Sequence, residues 1–203
     1  MTSPTRLTLT TAEKAPLVAL VGRPNVGKSA LFNRMTKKNN ALVEDLPGTT
    51  RDRNYGVVEW RGRVFRLVDT GGLIESDVDP FSPLVKRGVQ QALTEASAVI
   101  FVVDGTSGPI AADYEVAEML RRSRLPVLIA ANKADTRAAQ QNLLEFYELG
   151  LGEPASVSAI HGQGIGDLMD DVLEIVGGVD PTEAQDERIR VAIVGRPNVG
   201  KSS

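Results

Sequence analysis

The sequence contains no cysteine and a single histidine among its 203 residues. The absence of cysteine excludes disulfides, thiolate metal sites and cysteine nucleophiles, and it is compatible with a reducing cytosol. One histidine seldom builds a metal site, and His161 lies in the glycine-rich stretch SAIHGQGIG, so we expect it to be a loop residue. Any catalytic chemistry in this chain must therefore depend on other residue types.

Long apolar runs and a large net charge are also missing. No segment approaches the roughly 18 consecutive apolar residues of a transmembrane helix. The threonine-rich N-terminus, MTSPTRLTLTTAEKAP, lacks the continuous apolar region of a secretory signal and predicts a flexible tail over residues 1–16. The net charge of −3 excludes a globally basic nucleic-acid binder but is compatible with local basic patches. We expect a cytoplasmic protein with no membrane partner.

One segment occurs twice in the chain. Residues 18–30 read VALVGRPNVGKSA and residues 191–203 read VAIVGRPNVGKSS. Both copies contain G-x-x-x-x-G-K-S, the phosphate-cradling loop, behind a short apolar run that is typical of a strand. Only the first copy is followed by enough chain for a complete domain. We therefore predict a first domain over 17–178, an acidic interdomain linker over 179–190, and a truncated start of a second domain over 191–203.

Short apolar runs alternate with helical patterns, which is typical of a mostly parallel sheet covered on both faces. The predicted strands are residues 17–21, 55–60, 64–68, 98–103, 127–131 and 155–157. The predicted helices are residues 28–35, 83–95, 111–122, 137–149 and 165–176. In the third helix, Val116, Met119 and Leu120 recur at helical spacing and should face the sheet.

The second and third strands are separated only by residues 61–63, which is too short for a crossover connection. They should form an antiparallel hairpin on an otherwise parallel sheet. The sequence thus predicts an α/β fold of the P-loop NTPase type. Its sheet should have six strands, mostly parallel with one antiparallel strand, and helices on both faces.

The first phosphate loop follows a strand and precedes a helix, which is the context that the motif needs. Its residues, all predicted to bind nucleotide, are Gly22, Arg23, Pro24, Asn25, Val26, Gly27, Lys28 and Ser29, followed by Ala30. Glycines let the backbone approach the phosphates, and backbone N–H groups with the helix N-terminus supply positive potential. Lys28 can reach the β- and γ-phosphates as a catalytic residue, and the Ser29 hydroxyl can ligate Mg²⁺.

A second motif, Asp69-Thr70-Gly71-Gly72, directly follows the apolar run 64–68. At this strand end the Asp69 carboxylate can face Mg²⁺ through water, and the backbone N–H of Gly72 can approach the γ-phosphate. We predict Asp69 as a magnesium ligand and Gly72 as a catalytic residue. Thr70, Gly71 and the following Leu73 are predicted to lie at the nucleotide.

The base is indicated by Asn132-Lys133-Ala134-Asp135, the N-K-x-D pattern of guanine readers, after the run 127–131. The Asp135 carboxylate would accept from the guanine N1–H and exocyclic amine, a donor pair that adenine does not present. Losing such a contact in a desolvated pocket costs on the order of 1–3 kcal/mol per unsatisfied group. Ser158-Ala159 would bring a backbone N–H to the guanine O6.

Each of these short motifs is weak alone, since N-K-x-D also fits a solvated helix start with Asn132 near a cap position. Four motifs in the right order, each at the C-terminal end of a strand, indicate GTP or GDP as the ligand and a G domain as the type of P-loop NTPase fold. A P-loop ATPase or kinase is the rival within the enzyme class, and the N-K-x-D motif argues against it.

Together these residues resemble the translation-factor-like class of GTPases, and most specifically the Der family, bacterial GTPases with two G domains in tandem followed by a KH-like RNA-binding domain. The signs are GRPNVGKS in both copies, PGTTRDR at residues 47–53, the stretch DTGGL and the acidic linker. The resemblance covers residue 17 to the C-terminus. It implies a role in assembly of the large ribosomal subunit. The implied partners are that subunit or its RNA, the second G domain and the KH-like domain.

The resemblance also assigns roles in the segment 36–54. Thr50 is implied to be the switch threonine that closes onto Mg²⁺ and the γ-phosphate, and we count it as a catalytic residue and metal ligand, with Thr49 beside it at the nucleotide. A loop of this length is long enough to order and disorder. Segments 36–54 and 71–83 are therefore expected to differ between GDP and GTP-analogue states.

One departure bears on hydrolysis. Ras-like enzymes place a water-orienting Gln directly after the D-x-x-G motif, whereas this chain has Leu73, which cannot orient water or carry a proton. One interpretation is a silent nucleotide sensor that regulates a neighbouring domain. The alternative, by resemblance to related GTPases, is that Asn25 helps to hold a potassium ion beside the phosphates and so supplies the charge of an arginine finger.

Basic residues cluster in several places, at positions 37, 38, 51, 53, 61, 63, 66, 121, 122 and 124. The favoured interpretation is a solvated surface that balances the 26 acidic residues of the chain. The alternative is that the group nearest the predicted switch segments contacts ribosomal RNA or the KH-like domain.

Overall fold

The computed structural model describes residues 14–37, 54–70 and 83–180. Six strands form one sheet in the order β2-β3-β1-β4-β5-β6. They are β1 (Leu17–Val21), β2 (Asn54–Trp60), β3 (Arg63–Asp69), β4 (Ala98–Asp104), β5 (Val127–Asn132) and β6 (Pro154–Ser156). All neighbours pair in parallel except β2 and β3, which are antiparallel. The predicted sheet and its antiparallel hairpin are confirmed.

Five α-helices and one 3₁₀ helix accompany the sheet in the described residues. They are α1 (Lys28–Lys37), α2 (Pro83–Glu95), α3 (Ala111–Ser123), α4 (Arg137–Asn142), the 3₁₀ helix (Leu143–Leu149) and α5 (Ile165–Val176). The predicted bounds differ from these by one or two residues at several ends. The largest difference is the single helix predicted over 137–149, which is wrong because the chain tightens into the 3₁₀ helix at Leu143.

The change of helix type at Leu143 has a packing reason. A 3₁₀ helix has three residues per turn, so residues three apart in sequence lie on one face. Leu143, Phe146 and Leu149 have this spacing, and all three belong to one apolar cluster, in which Phe146 and Leu149 are fully buried. An α-helix would rotate these side chains away from a common direction.

The sheet separates two apolar layers. The strand β4 shows the division, since Ile100 and Val102 belong to the cluster with α1 and α5, whereas Val99, Phe101 and Val103 belong to the cluster with α2, α3 and the 3₁₀ helix. This alternation follows from the two-residue period of a strand. Helices cover both faces of the sheet. We therefore expect a ligand to bind at the carboxyl ends of the strands.

Helix α3 packs as its spacing predicts. Leu120 is fully buried, and Val116 and Met119 are partly buried against the same cluster. Asp113 in its first turn is also fully buried, which apolar spacing alone does not predict.

The described ends of the domain pack against each other. Ala15 forms a small apolar cluster with Val57 and Val64, and Val179 packs against this cluster and pairs with Val64 through two backbone hydrogen bonds of 2.9 Å. Apolar side chains just outside residues 17–178 thus bury surface against β2 and β3. The rest of the predicted tail and linker, residues 1–13 and 181–190, and the second motif copy lie outside the described residues.

Candidate nucleotide site

The carboxyl ends of the parallel strands bring the predicted motifs to one edge of the sheet. The phosphate loop follows β1, Asp69 ends β3, Asn132 ends β5, and Ser158 follows β6. Parallel pairing forces this arrangement, because every parallel strand ends at the same side of the sheet. Thr49, Thr50, Gly71, Gly72 and Leu73 lie outside the described residues, so their assignments stay predictions.

Two glycines of the phosphate loop are required by close contacts. A Cβ on Gly22 would lie 2.2 Å from the carbonyl oxygen of Val102, and a Cβ on Gly27 would lie 2.2 Å from the amide nitrogen of Asn132. Both distances are far inside van der Waals contact, so any side chain would displace the loop. Asn25, at φ 65°, adopts the left-handed conformation that Asn tolerates better than most residues.

The ammonium of Lys28 lies inside the phosphate loop. Its Nζ donates to the carbonyl oxygens of Gly22 and Arg23, at 2.8 Å each. Burial lowers the pKa of Lys28 from its usual 10.5 to about 8, although the nearby Asp69 carboxylate acts in the opposite direction. An anion that enters the loop would meet a buried ammonium. That ammonium could exchange its two hydrogen bonds to carbonyl oxygens for hydrogen bonds to the anion.

The two predicted magnesium ligands of the described residues are adjacent. The Ser29 hydroxyl donates to Oδ2 of Asp69 at 2.6 Å, and Asp69 is fully buried. A hydroxyl and a carboxylate are the hard oxygen donors that Mg²⁺ prefers, so the donor set fits this ion. Within residues 14–37, 54–70 and 83–180, no group of three or more His, Asp or Glu side chains could hold a metal ion. Phosphate oxygens of a nucleotide would have to complete the coordination.

The Thr70 side chain points back into the sheet. Its hydroxyl donates to the carbonyl oxygen of Leu20 at 2.7 Å, and the residue is buried. This contact ties the end of β3 to β1 and thereby places Asp69 beside the phosphate loop.

The Asn132 side chain connects two loops of the site. Its amide nitrogen donates to the carbonyl oxygen of Val26 at 2.8 Å, and its amide oxygen accepts from the backbone N–H of Ala159 at 2.9 Å. Both polar ends of this buried amide are therefore satisfied, as burial requires. The structure assigns Asn132 the work of holding the phosphate loop against the loop after β6.

The loop after β6 is fixed from several sides. Ser158 bonds Gln163 through its N–H at 3.0 Å, and the carbonyl oxygen of Ser158 accepts from Gly162. From α1, the guanidinium of Arg34 donates to the carbonyl oxygens of Ala159, at 2.7 Å through Nε, and of Ile160. No sequence signal pointed to Arg34, because its contact spans 125 positions of the chain.

The predicted guanine reader Asp135 has a neighbour that the sequence did not indicate. The only histidine of the chain, His161, lies in the loop after β6 as predicted, and its Nε2 is 3.6 Å from Oδ2 of Asp135. The side chains are 58% and 31% exposed, so both are open to solvent at the edge where a base would bind.

Lys133 also reaches the phosphate loop. Its Nζ donates to the carbonyl oxygen of Asn25 at 2.9 Å and to Oδ2 of Asp104 at 2.6 Å. The sequence motifs do not indicate Asp104, although it ends an apolar strand in the same way as Asp69 does. That shared position is the signal that could have found it.

Arg23 connects the phosphate loop with helix α3. Its Nε lies 3.4 Å from Oδ1 of the fully buried Asp113, and its Nη2 donates to the Ser107 hydroxyl at 3.3 Å. Burial raises the pKa of Asp113, although the backbone N–H of Ile110 and the Arg23 charge act in the opposite direction. These contacts connect the phosphate loop to helix α3 and to Ser107.

Several basic residues have acidic partners within the domain. Arg61 pairs with Asp170 at 2.6 Å, and Arg121 and Arg122 both pair with Glu118. These pairs favour the interpretation of a neutralised, solvated surface for the three arginines. The basic side chains at positions 37, 38, 51 and 53 lie outside the described residues.

A glycine-containing phosphate loop after β1, an aspartate at the end of β3 and an N-K-x-D loop after β5 define a P-loop GTPase domain. This chain belongs to the family of 50S ribosome-binding GTPases, whose family model matches residues 17–133. The match includes the phosphate loop, Asp69 and the first two residues of the N-K-x-D motif.

Sequence relatives confirm the resemblance to the Der family. The GTPase Der of Herpetosiphon aurantiacus is 53% identical over 194 residues, which cover 93% of this chain and 43% of the relative. The GTPase Der of Nostoc punctiforme is 52% identical and is covered to 41% of its length. The chain therefore spans less than half the length of these curated relatives.

Solved structures of GTPases share the fold. Aquifex aeolicus Era bound to GDP·AlF₄⁻ aligns with a TM-score of 0.62 at 29% identity, covering 79% of this chain and 56% of that one. The G domain of the T. maritima FeoB iron transporter aligns with a TM-score of 0.59 at 28% identity, covering 79% of this chain and 98% of that one.

In the described part of this chain, no helix is long and apolar enough to cross a membrane.

Proposed function

We propose that residues 17–178 bind GTP with Mg²⁺ and hydrolyse it to GDP and phosphate. The observation that carries this proposal is the direct connection between the phosphate loop and the guanine-reading loop, through Asn132 to Val26 and through Lys133 to Asn25. A nucleotide has its phosphates and its base at fixed separation, so a site that recognises both needs two loops held in register. These hydrogen bonds support such a site.

In the proposed complex, Lys28 redirects its ammonium from the carbonyl oxygens of Gly22 and Arg23 to the β- and γ-phosphate oxygens. Ser29 and Asp69 would hold Mg²⁺, which neutralises charge on the phosphates when it is bound. The backbone N–H of Gly72 and the hydroxyl of Thr50 would meet the γ-phosphate. Asp135 would accept from the guanine N1–H and amine, with Ser158 and Ala159 beside O6.

Hydrolysis without a glutamine is the open part of this mechanism. We propose that Asn25 helps to hold a monovalent cation, K⁺, whose positive charge would stabilise the negative charge shared between the β- and γ-phosphates as the bond between them breaks. The observation in support is that Asn25 is exposed on the phosphate loop and that its carbonyl oxygen accepts a hydrogen bond from Lys133.

The second candidate is a silent nucleotide sensor, which the Leu73 position favours. Single-turnover hydrolysis of γ-labelled GTP by the purified chain separates the two functions. We expect release of labelled phosphate that is slow but depends on the enzyme, and that is lost in Lys28→Ala. Binding of GTP with no phosphate release above the uncatalysed rate would leave the sensor as the function.

We further propose that the longer protein acts in assembly of the large ribosomal subunit in the cytoplasm, with a second G domain and a KH-like domain. Support comes from the family, which is described as 50S ribosome-binding, and from the relatives named GTPase Der. The test is co-sedimentation of the full-length protein with large subunits in the presence of a GTP analogue or GDP. Absence of the protein from the subunit fraction in both states would contradict the proposal.

A further inference from the structure

The carboxyl ends of β4 and β5 place Asp104 beside Lys133. Asp104 is paired in register with Asn132, so the chain leaves β5 at Lys133 next to the end of β4. The Nζ of Lys133 lies 2.6 Å from Oδ2 of Asp104, with side chains 39% and 11% exposed. This ion pair is therefore a consequence of the sheet register, not of chance surface contact.

The orientation of the Asp104 carboxylate is fixed by the turn that follows β4. Its Oδ1 accepts from the backbone N–H of Thr106 at 3.0 Å and from the Thr106 hydroxyl at 2.6 Å. Burial by itself would raise the pKa of Asp104, but the hydrogen bonds from Lys133 and Thr106 outweigh it and lower the pKa. The group that faces Lys133 is thus an ionised carboxylate held in one direction.

The same ammonium contacts the phosphate loop. The Nζ of Lys133 donates to the carbonyl oxygen of Asn25 at 2.9 Å. Asn25 has φ 65° and Lys133 has φ 64°, and both values lie in the left-handed region that residues with side chains seldom adopt. One ammonium therefore joins two loops at positions where both backbones are left-handed.

We propose that Asp104 is a positioning residue for guanine-nucleotide binding, which orients Lys133 so that its ammonium holds the phosphate loop against the guanine-reading loop. The inference rests on the nucleotide site proposed above. A ligand that contacts both loops binds most tightly when they are held at the correct separation before it arrives. Removing the Asp104 charge leaves Lys133 with several side-chain conformations. The free energy of nucleotide binding must then include the entropy that is lost when the two loops become ordered.

The principal test is a double-mutant cycle between Asp104→Asn and Lys133→Met, read as GDP affinity and dissociation rate. We expect Asp104→Asn to weaken GDP binding by about tenfold, mainly through faster dissociation. Adding Asp104→Asn to Lys133→Met should weaken GDP binding little further, because Asp104 acts only through Lys133. The preference for GDP over xanthosine diphosphate should stay unchanged, since Asp135 is intact.

A control variant separates this role from general stability. Asp170→Asn removes a carboxylate of matched type, which pairs with Arg61 at 2.6 Å at the β2–β3 turn, remote from both loops. It should leave GDP affinity unchanged.

Two results would overturn the inference: GDP affinity of Asp104→Asn equal to that of the unmodified chain, or losses that add fully with Lys133→Met. If Lys133→Met alone leaves GDP affinity unchanged, the assignment of Lys133 to the nucleotide site is wrong. Should Asp104→Asn fail to fold, Asp104→Glu keeps the charge and shifts it by one methylene. A loss in Asp104→Glu that is non-additive with Lys133→Met supports the inference, and an additive loss contradicts it.

Discussion

At the scale of single residues, the N-K-x-D motif has two kinds of member. Asn132 and Lys133 form hydrogen bonds within the protein, with Val26, Ala159 and Asn25. Asp135 remains partly open to solvent at the base-binding edge. The motif therefore combines the proposed reader of the base with two residues that connect the loops of the site.

The buried ammonium of Lys28 makes nucleotide binding depend on pH. Its pKa in the described state is about 8, because burial disfavours the charged form, and bound phosphates would raise this pKa. Affinity for GDP is then greatest below pH 8 and falls as the pH rises above the pKa of Lys28. The fall is up to about tenfold per pH unit until the pKa of the bound state is reached. Dissociation constants measured across this range test the prediction.

The guanine base titrates at alkaline pH as well, so Lys28→Met is the necessary control. It should bind GDP more weakly and show only the decline that is due to the base. An unmodified chain whose affinity is flat through pH 9, or whose profile matches that of Lys28→Met, would contradict the predicted proton uptake.

Asn25 carries the prediction on potassium. Hydrolysis of GTP should be faster in K⁺ than in Na⁺ at equal ionic strength, because a site built from oxygens selects by ion radius. Asn25→Ala should remove most of that difference and leave GDP affinity nearly unchanged, since the base and β-phosphate contacts survive. Equal single-turnover rates in the two salts would mean that Asn25 is only a turn residue of the phosphate loop.

At the scale of elements, the 3₁₀ helix is the segment where packing overrules helical propensity. The sequence of 137–149 favours one continuous helix, but the burial of Leu143, Phe146 and Leu149 at three-residue spacing favours the tighter form. Helical propensity depends on residues that are close in sequence. The burial of side chains at this spacing stabilises the 3₁₀ helix only when the sheet and α3 have already formed.

Phe146→Ala tests the contribution of this element to stability. Phe146 is fully buried, so the loss of its ring should lower the free energy of unfolding by about 3–5 kcal/mol. The neighbouring aromatic residue Tyr147 is 48% exposed, and Tyr147→Ala should cost less than about 1 kcal/mol. Urea denaturation compares the two, and equal losses would contradict the assigned packing.

At the scale of the whole molecule, the described domain contains one set of nucleotide-binding elements. The sheet order, the antiparallel hairpin and the position of the motifs at the strand ends all follow from patterns that the sequence displays. The connections between the loops do not, because contacts such as Arg34 to Ala159 and Lys133 to Asn25 join residues more than 100 positions apart. Local periodicity carries no information on which loop carbonyl a distant side chain will meet.

The two phosphate-loop sequences should differ in binding. The copy at 191–203 is not followed in this chain by a guanine-reading motif, so we expect one GDP per chain in a calorimetric titration. Lys201→Met should change neither the stoichiometry nor the affinity, whereas Lys28→Met should weaken binding. A stoichiometry of two would contradict this prediction.

Displacement of a fluorescent GDP by GTP, XTP and ATP, on the unmodified chain and on Asp135→Asn, tests the guanine-nucleotide site most directly. On the unmodified chain, GTP should displace the probe and ATP should fail, because adenine offers no donor pair to Asp135. In Asp135→Asn an amide replaces the acceptor, so XTP should compete better than GTP. Equal competition by ATP and GTP, or an unchanged order in Asp135→Asn, would contradict the site that the two connected loops define.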